Sequence, residues 1–433
     1  MQFSILLSPV LLVFTISLHC SRAEPLSWRK ENVNSSDRNT HSMNSNQAEL
    51  QQIHILFRHG DRAPIRRMFD NSTPVEILWP IGIGQLTASG IRQEFLLGRW
   101  LREQYNSFIP GRYNASDIYV RATETDRTIM SGQSFLAGLY NCIDPGRCPL
   151  MPMGIAWRPI PVHTVSSNDD IEFLAAGCRR EKKLWDEQIA SVEMKEYMQR
   201  HQDLVYLLEK KTNYRPITSR RIYEIGDVLY CMKSINATLP EWCTAERFKE
   251  IMDIRQFYWK TMLLTSHEGL QLHAGIFLKK MSDTLTAATR RSSPYEESEV
   301  KRLMVYSAHD VNVDQLRSIL KQYDDKIVDY AGAVILELFG PKPPGKPDEY
   351  YMRFRYKAGW RDSVGDYFQI PPCAQKPAKE GCRLDQFMEY LKPFCLTKNE
   401  YVERCKLTDG SGKPFLSKWV IMMGALALLS YRW

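Results

Sequence analysis

The sequence predicts an α/β fold: a mixed, mostly parallel central sheet flanked by helices, with a mainly helical cap domain inserted midway. Three observations predict it. Short strand-like runs alternate with segments of helical spacing near both ends of the chain. The middle, from about residue 170 to 290, is long and charged, with few strand-like runs. Arginine, histidine and aspartate follow directly on several of the strands.

The elements come in this order. Gln52 to Phe57 alternates and ends in apolar residues, as a first strand does. Thr87 to Tyr105 places Ile91, Phe95, Leu96, Trp100 and Leu101 at helical spacing, with Thr87 or Ser89 able to cap it. Asp117 to Val120 is a short strand, and Asp126 to Tyr140 repeats the helical spacing through Ile129, Phe135 and Leu136. Proline-rich turns between Pro149 and Pro161 lead into the helical middle, and strand signals return at Leu303–Ser307, Val334–Phe339 and Tyr350–Tyr356. The expected division is a first core part at 50–165, a cap at 166–300 and a second core part at 301–405. There is no internal repeat.

Both flanks read as processing or anchoring segments. Residues 1–23 resemble a secretory signal, an apolar run from Ile5 to Leu18 followed by Ser21-Arg22-Ala23. A short transmembrane helix is the alternative, but the run is below the ~20 apolar residues a bilayer needs. Residues 24–49 form a polar lead-in rich in Asn and Ser. At the far end, 406–433 holds Gly410-Ser411-Gly412, Lys418 and an apolar run from Trp419 to Tyr431. At ~1.5 Å per residue that run reaches only about 20 Å, short of a ~30 Å hydrocarbon core. Small residues, a spacer and an apolar tail resemble a lipid-anchor signal; a core helix or a short tilted span is the alternative. The expected location is the secretory pathway, lysosomal or extracellular, with the membrane held through this tail.

Composition excludes several classes. Of 433 residues, 44% are hydrophobic and 25% charged, which argues against disorder and coiled coil. The 23 Gly and 23 Pro follow no period, so collagen is excluded. The 57 basic and 50 acidic residues are interspersed, so no nucleic-acid partner is expected. Ten cysteines occur; Cys20 leaves with the signal, and an odd count remains. No C-x-x-C pair exists, which argues against a zinc ribbon or a thioredoxin-type site. Asn34, Asn71, Asn114 and Asn236 stand in glycosylation sequons, usable only in a secretory lumen.

The chemistry sits at strand ends. The first strand runs into Arg58-His59-Gly60-Asp61-Arg62-Ala63-Pro64, the second into Arg121-Ala122-Thr123, and the strand at Leu303–Ser307 into Ala308-His309-Asp310. The carboxyl ends of strands are where open α/β sheets bind ligands. Guanidinium matches phosphate oxygens through paired hydrogen bonds, and imidazole beside such a clamp can carry a phosphoryl group covalently. Taken one by one, an Arg-His-Gly triplet or a histidine after a strand is ordinary structure; their joint placement is the signal. Competing chemistries lack their residues: there is no Cys-x5-Arg loop, no Asp-x-Asp-x-Thr run and no H-E-x-x-H. Gly82-Ile83-Gly84 lacks the third glycine of a dinucleotide loop and reads as a turn.

These residues resemble the histidine acid phosphatases of the prostatic and lysosomal type, a branch of the histidine phosphatase superfamily. FRHGDRAP at 57–64 carries that family's RHG-x-R-x-P signature and SAHD at 307–310 its His-Asp pair. WPIGIGQLTASG at 79–90, YVRATETDRT at 119–128 and WRPIPVHTV at 157–165 match as well, so the likeness runs from roughly 50 to 405. The resemblance implies an acid phosphatase acting on phosphate monoesters without cofactor or metal. His59 would be the nucleophile that becomes phosphohistidine, and Asp310 the general acid, protonated at the start. Arg58, Arg62 and Arg121 would hold the phosphate, joined by His309 as imidazolium. Val311-Asn312 stands where the family continues from His-Asp with threonine.

The resemblance also implies disulfides Cys178–Cys405 and Cys373–Cys382. Cys142–Cys148 would be local, and Cys231, whose family partner is replaced here by Ala333, would pair with Cys243, leaving Cys395 over. A homodimer is a further expectation of the family. The nearest alternative is a phytase-like or lysophosphatidate phosphatase of the same mechanism. From another class, the alternative is a catalytically dead secreted phosphate-ester binder, which would be expected to have lost His59 or Asp310.

Overall fold

The computed structural model describes residues 48–67, 69, 75–141, 157–290, 300–341, 346 and 349–406. The expected signal, nearly all of the lead-in, the apolar tail, Asn34, Asn71, Cys142 and Cys148 lie outside the described residues. In chain order the elements are β1 (Glu49–Arg58), α1 (Val75–Leu78), α2 (Ala88–Gln104), β2 (Ile118–Ala122) and α3 (Asp126–Leu139). A helical stretch follows: α4 (Arg179–Ile189), α5 (Val192–Gln199), α6 (Gln202–Lys211), α7 (Ser219–Ser234), α8 (Ala245–Leu263) and α9 (His267–Ala288). Then come β3 (Leu303–Ala308), α10 (Asp310–Ile319), β4 (Ala333–Gly340) and β5 (Tyr351–Lys357). The chain closes with β6 (Asp366–Phe368), β7 (Cys382–Arg383), α11 (Leu384–Leu391) and α12 (Lys398–Cys405).

The strands form one mixed sheet in the order β2–β3–β1–β4–β5–β6, with β7 also on β5. β2, β3 and β1 run parallel, so their carboxyl ends share one edge. From β1 onward each pairing is antiparallel. The helical segments between the parallel strands are what such crossovers require.

Period-two alternation divides β1 between two layers. Ile53, Ile55 and Phe57 join Leu97, Trp100 and Leu101 of α2 and Phe135, Leu136 and Leu139 of α3. Leu56, Met304 and Tyr306 join Leu270, Phe277 and Met281 of α9 and Val313 and Leu316 of α10 on the opposite face. Each large apolar side chain so buried contributes roughly 1.5–3 kcal/mol. Where α2 crosses α3, a Cβ on Gly98 would stand 1.9 Å from the Phe135 carbonyl oxygen, so no larger residue fits.

Two helical expectations shift. Ile91 points to solvent at 42% exposure, while Gln93 and Glu94 are buried, because the first turn of α2 faces a loop rather than the sheet. The last helix of the expected cap, α9, covers the sheet, and the separate cap core is built by α6, α7 and α8 with Ala63, Phe69 and Trp79.

Cys178–Cys405 and Cys373–Cys382 are disulfides. The expected Cys231–Cys243 bridge is not formed; both are buried thiols, and Cys395 is a third free thiol. The Cys231 sulfur lies 3.7 Å from Arg62 Nη1 and 3.8 Å from the Tyr330 hydroxyl. Burial pushes the Cys231 thiol up to about 12 and Cys243 up to about 11, so the thiolate that forms a disulfide is scarce.

Candidate active site

The parallel half of the sheet delivers two catalytic candidates side by side. Arg58 is paired in register with Ala308, and the His59 N–H donates to the Ala308 carbonyl at 3.0 Å. The residues after these two strands are therefore neighbours, and the rings of His59 and His309 stand edge to face with centroids 5.6 Å apart.

A glycine contact sets the loop after β1. A Cβ on Gly60 would meet the Gly90 carbonyl oxygen at 2.4 Å, so loop and helix touch backbone to backbone. Thr87 caps α2 by accepting from Gly90 N–H, and its hydroxyl donates to Asp61 Oδ2 at 2.5 Å. Asp61 N–H donates to Gln93 Oε1 at 2.8 Å, which explains the buried polar turn of α2.

His59 is only 2% exposed and so is a buried residue rather than a surface one. Its Nδ1 lies 2.8 Å from the Gly60 carbonyl, which can only accept, so Nδ1 carries the proton and Nε2 the free lone pair. Burial, then Arg127, Arg58, Arg62 and His309, hold the imidazole well below its ordinary range. The free imidazole is therefore held in its neutral form.

Three guanidiniums surround it. Arg58 stacks 4.3 Å above the Tyr330 ring, donates to the Val328 carbonyl at 2.6 Å and reaches Asp310 Oδ2 at 3.0 Å. Arg62 is gripped through both terminal nitrogens by Asp227 of α7, at 2.9 and 3.1 Å. Arg127, in the first turn of α3, comes within 3.4 Å of His309 Nδ1. The Nε atoms of all three are buried without a hydrogen-bond partner among the described residues.

Arg121, expected in that clamp, is committed elsewhere. Its Nη2 donates to Asp170 Oδ2 at 2.7 Å, its Nη1 to the Ala122 carbonyl, and it lies over Phe173. Six residues further on, Arg127 occupies the place the sequence reading gave to Arg121. Helical geometry explains the exchange: β2 ends with Arg121 in the sheet, while the turn after it aims the amino end of α3 at the rim.

His309 also differs from expectation. Arginine only donates, so His309 Nδ1 accepts from Arg127, and Nε2–H donates to Thr123 Oγ1 at 2.9 Å. Burial and then Arg127 bring its pKa down to about 3, so the free site holds a neutral imidazole, not an imidazolium. Asn312, two residues beyond Asp310, is put to use: its Oδ1 accepts from the His309 backbone N–H at 3.1 Å at the start of α10.

Asp310 opens α10, where the helix dipole favours negative charge. Burial pushes its carboxyl up, but Arg58, Arg62 and Arg255 together pull further, and it is held below the ordinary carboxylate range. In the free site Asp310 is therefore ionised rather than protonated at the start.

Sequence reasoning missed Arg127, Asp227 and Arg255. Arg127 had a signal, lying at a helix start directly after a strand. Asp227 and Arg255 had none, since a charged residue within a cap helix reads as a solvated face. Among the described residues, no three His, Cys, Asp or Glu side chains group as a metal site.

Comparison with known proteins completes the picture. The family described as histidine phosphatase superfamily (branch 2) matches residues 49–357. A lysosomal acid phosphatase of Xenopus laevis is 30% identical over 366 residues, 83% of this chain and 80% of that protein. A prostatic acid phosphatase of Bos taurus is 29% identical over 369 residues, covering 84% and 89%. Among solved structures, Hafnia alvei phytase in complex with tartrate superposes with a TM-score of 0.61 at 16% identity, over 83% of this chain and 99% of that one. That last likeness is one of fold.

Proposed function

Because this chain belongs to branch 2 of the histidine phosphatase superfamily, we propose that His59 is the nucleophile of its phosphate-ester hydrolysis. The chain is an acid phosphatase, a phosphoric monoester hydrolase, in keeping with its lysosomal and prostatic relatives. The observation that carries the residue-level reading is the tautomer of His59: Nδ1–H is spent on Gly60, and Nε2 is free among three guanidiniums.

Arg58, Arg62 and Arg127 hold the three non-bridging oxygens, using the buried Nε–H groups that have no other partner among the described residues. His59 Nε2 attacks phosphorus in line, the bond to the leaving oxygen breaks, and phosphohistidine forms. His309, neutral, orients Arg127 through its Nδ1 lone pair. Asp310 supplies the leaving oxygen with a proton, and its ionised state in the free site sets a condition. Incoming phosphate charge offsets Arg58, the carboxyl rises from its depressed range, and it takes up a proton with substrate. Acid pH supports that uptake. Asp310, deprotonated by the first step, then takes a proton from the water that attacks phosphohistidine, releasing phosphate and neutral His59.

Secretory or lysosomal residence is supported by the same relatives and by the two disulfides. Asn114 and Asn236 are exposed, as glycan acceptors must be. No helix among the described residues is long and apolar enough to cross a membrane.

The test is chemical trapping. Acid quench during turnover of labelled substrate should leave acid-labile phosphate on His59. His59→Ala should lose activity on the order of 10⁵-fold, as removal of a covalent nucleophile does. A variant keeping a tenth of its rate would remove the covalent assignment.

A further inference from the structure

A cavity of about 860 Å³ opens beside the clamp, and its lining includes both Arg58 and Arg255. Such a volume suits a whole small ligand rather than one phosphate. Arg255 comes from α8 of the cap and is 5% exposed. Its Nε and Nη2 have no hydrogen-bond partner among the described residues. Its nearest carboxylate oxygen, Asp227 Oδ1 at 3.6 Å, already accepts from Arg62 Nη2 at 2.9 Å. One carboxylate thus serves two guanidiniums, and a positive charge is left over. The Tyr223 and Tyr230 rings lie 5.3 and 5.5 Å from the Arg255 guanidinium carbon and hold it from the side.

The rest of the lining is net positive. Arg92, Lys233, Lys326 and Arg361 add cations, whereas the acidic residues are Asp61 and Asp329. Asp61 already accepts from Thr87, and Asp329 from the Tyr230 hydroxyl at 2.8 Å. A buried guanidinium with unspent donors is costly unless an anion meets it.

We infer that this cavity takes phosphomonoesters whose leaving alcohol carries a second anionic group, phosphate or carboxylate, bound by Arg255. The inference rests on the catalytic reading above, which places the scissile phosphate at Arg58 and the leaving group toward the cavity. The simpler role for Arg255, a second counter-ion supporting Asp227 and Arg62, would affect all substrates equally.

The experiment compares matched pairs at pH 5 with the full-length enzyme: fructose 6-phosphate against fructose 1,6-bisphosphate, and glycerol 3-phosphate against 3-phosphoglycerate. The doubly anionic member of at least one pair should be favoured about tenfold in kcat/KM, mainly through KM, as one charge-assisted contact would give. A preference confined to the bisphosphate identifies the second group as phosphate; a preference in both pairs makes it any anion. Arg255→Gln should erase the preference, and Arg255→Lys should restore part of it. Equal kcat/KM within both pairs for the wild type, or an Arg255→Gln loss shared equally by both members, overturns the inference. Para-nitrophenyl phosphate, hydrolysed by wild type and not by His59→Ala, reports separately on the catalytic reading.

Discussion

The sheet core and the cap contribute to the same site in different ways. In the proposed mechanism the core supplies the reacting groups from positions fixed by strand ends: Arg58 closing β1 and His59 after it, Arg127 after β2, Asp310 after β3. The cap supplies no reacting group. It sends Asp227 from α7 to grip Arg62 and Arg255 from α8 to share that carboxylate. The difference teaches where each property of the enzyme resides. Chemistry is anchored to hydrogen-bonded strands, which tolerate little movement; alignment and reach toward the leaving group are set by helices with their own apolar core.

The largest test of that division is Asp310→Asn. On esters with poor leaving alcohols it should cost about 10²–10⁴-fold in kcat, and far less on activated phenyl esters that need no proton. Steady-state rates across a leaving-group series decide it; equal losses throughout would take Asp310 out of the acid role.

Next comes a pair on the core side. Arg127→Ala should lower kcat/KM about 10²–10³-fold, the scale of losing one preorganised charge donor. Arg121→Met should instead lower the melting temperature, since it strands buried Asp170, with kcat of the folded fraction nearly intact. Similar kinetic losses in both would return Arg121 to the clamp.

The smallest expected kinetic effect lies in the cap. Asp227 is held down to about 2 against the outward push of burial, chiefly by Arg62. A carboxyl with a lowered folded pKa stabilises the fold above its unfolded value near 4 and loses that contribution as pH falls through about 2. Asp227→Asn should therefore destabilise by roughly 3–5 kcal/mol at pH 5, with the gap to wild type narrowing by about 2 kcal/mol as pH falls to 2. Melting temperatures at the two pH values measure it. A gap that does not narrow would mean the ion pair is not what Asp227 contributes.

Much of the core was legible because its signals are local. β1, β3 and β4 are apolar runs bounded by turn residues, Thr87 caps α2, and Arg58, His59, His309 and Asp310 at the ends of β1 and β3 come together, though Arg121 at the end of β2 does not join them. The short edge strands β6 and β7 carried no period long enough to read. What was not legible depended on packing between distant segments. The register of Arg121 against Arg127 is settled by where a strand stops and a helix starts. The protonation of His309 and Asp310 depends on how many guanidiniums converge, which no single stretch of sequence contains. Cys231 looked available for Cys243 by proximity in sequence, yet its sulfur faces Arg62 and Tyr330.

The Cys178–Cys405 bridge turns most of the chain into a covalent circle. Its partners stand 227 positions apart, and closing so long a loop in the unfolded chain removes entropy worth roughly 5 kcal/mol in the chain-entropy account. His309, Asp310, Asp227 and Arg255 lie within the circle, whereas Arg58, His59, Arg62 and Arg127 lie on the strand of chain leading into it. A single protease cut in a cap turn would leave the circled groups still tethered to one another. A cut between α3 and Cys178 would covalently free the segment that carries His59, leaving β1 held by its ladders to β3 and β4, its apolar packing and the Arg58–Asp310 and Arg62–Asp227 pairs. Under proteolysis, the stretch before Cys178 is thus where a nick would cut the covalent link between His59 and Asp310.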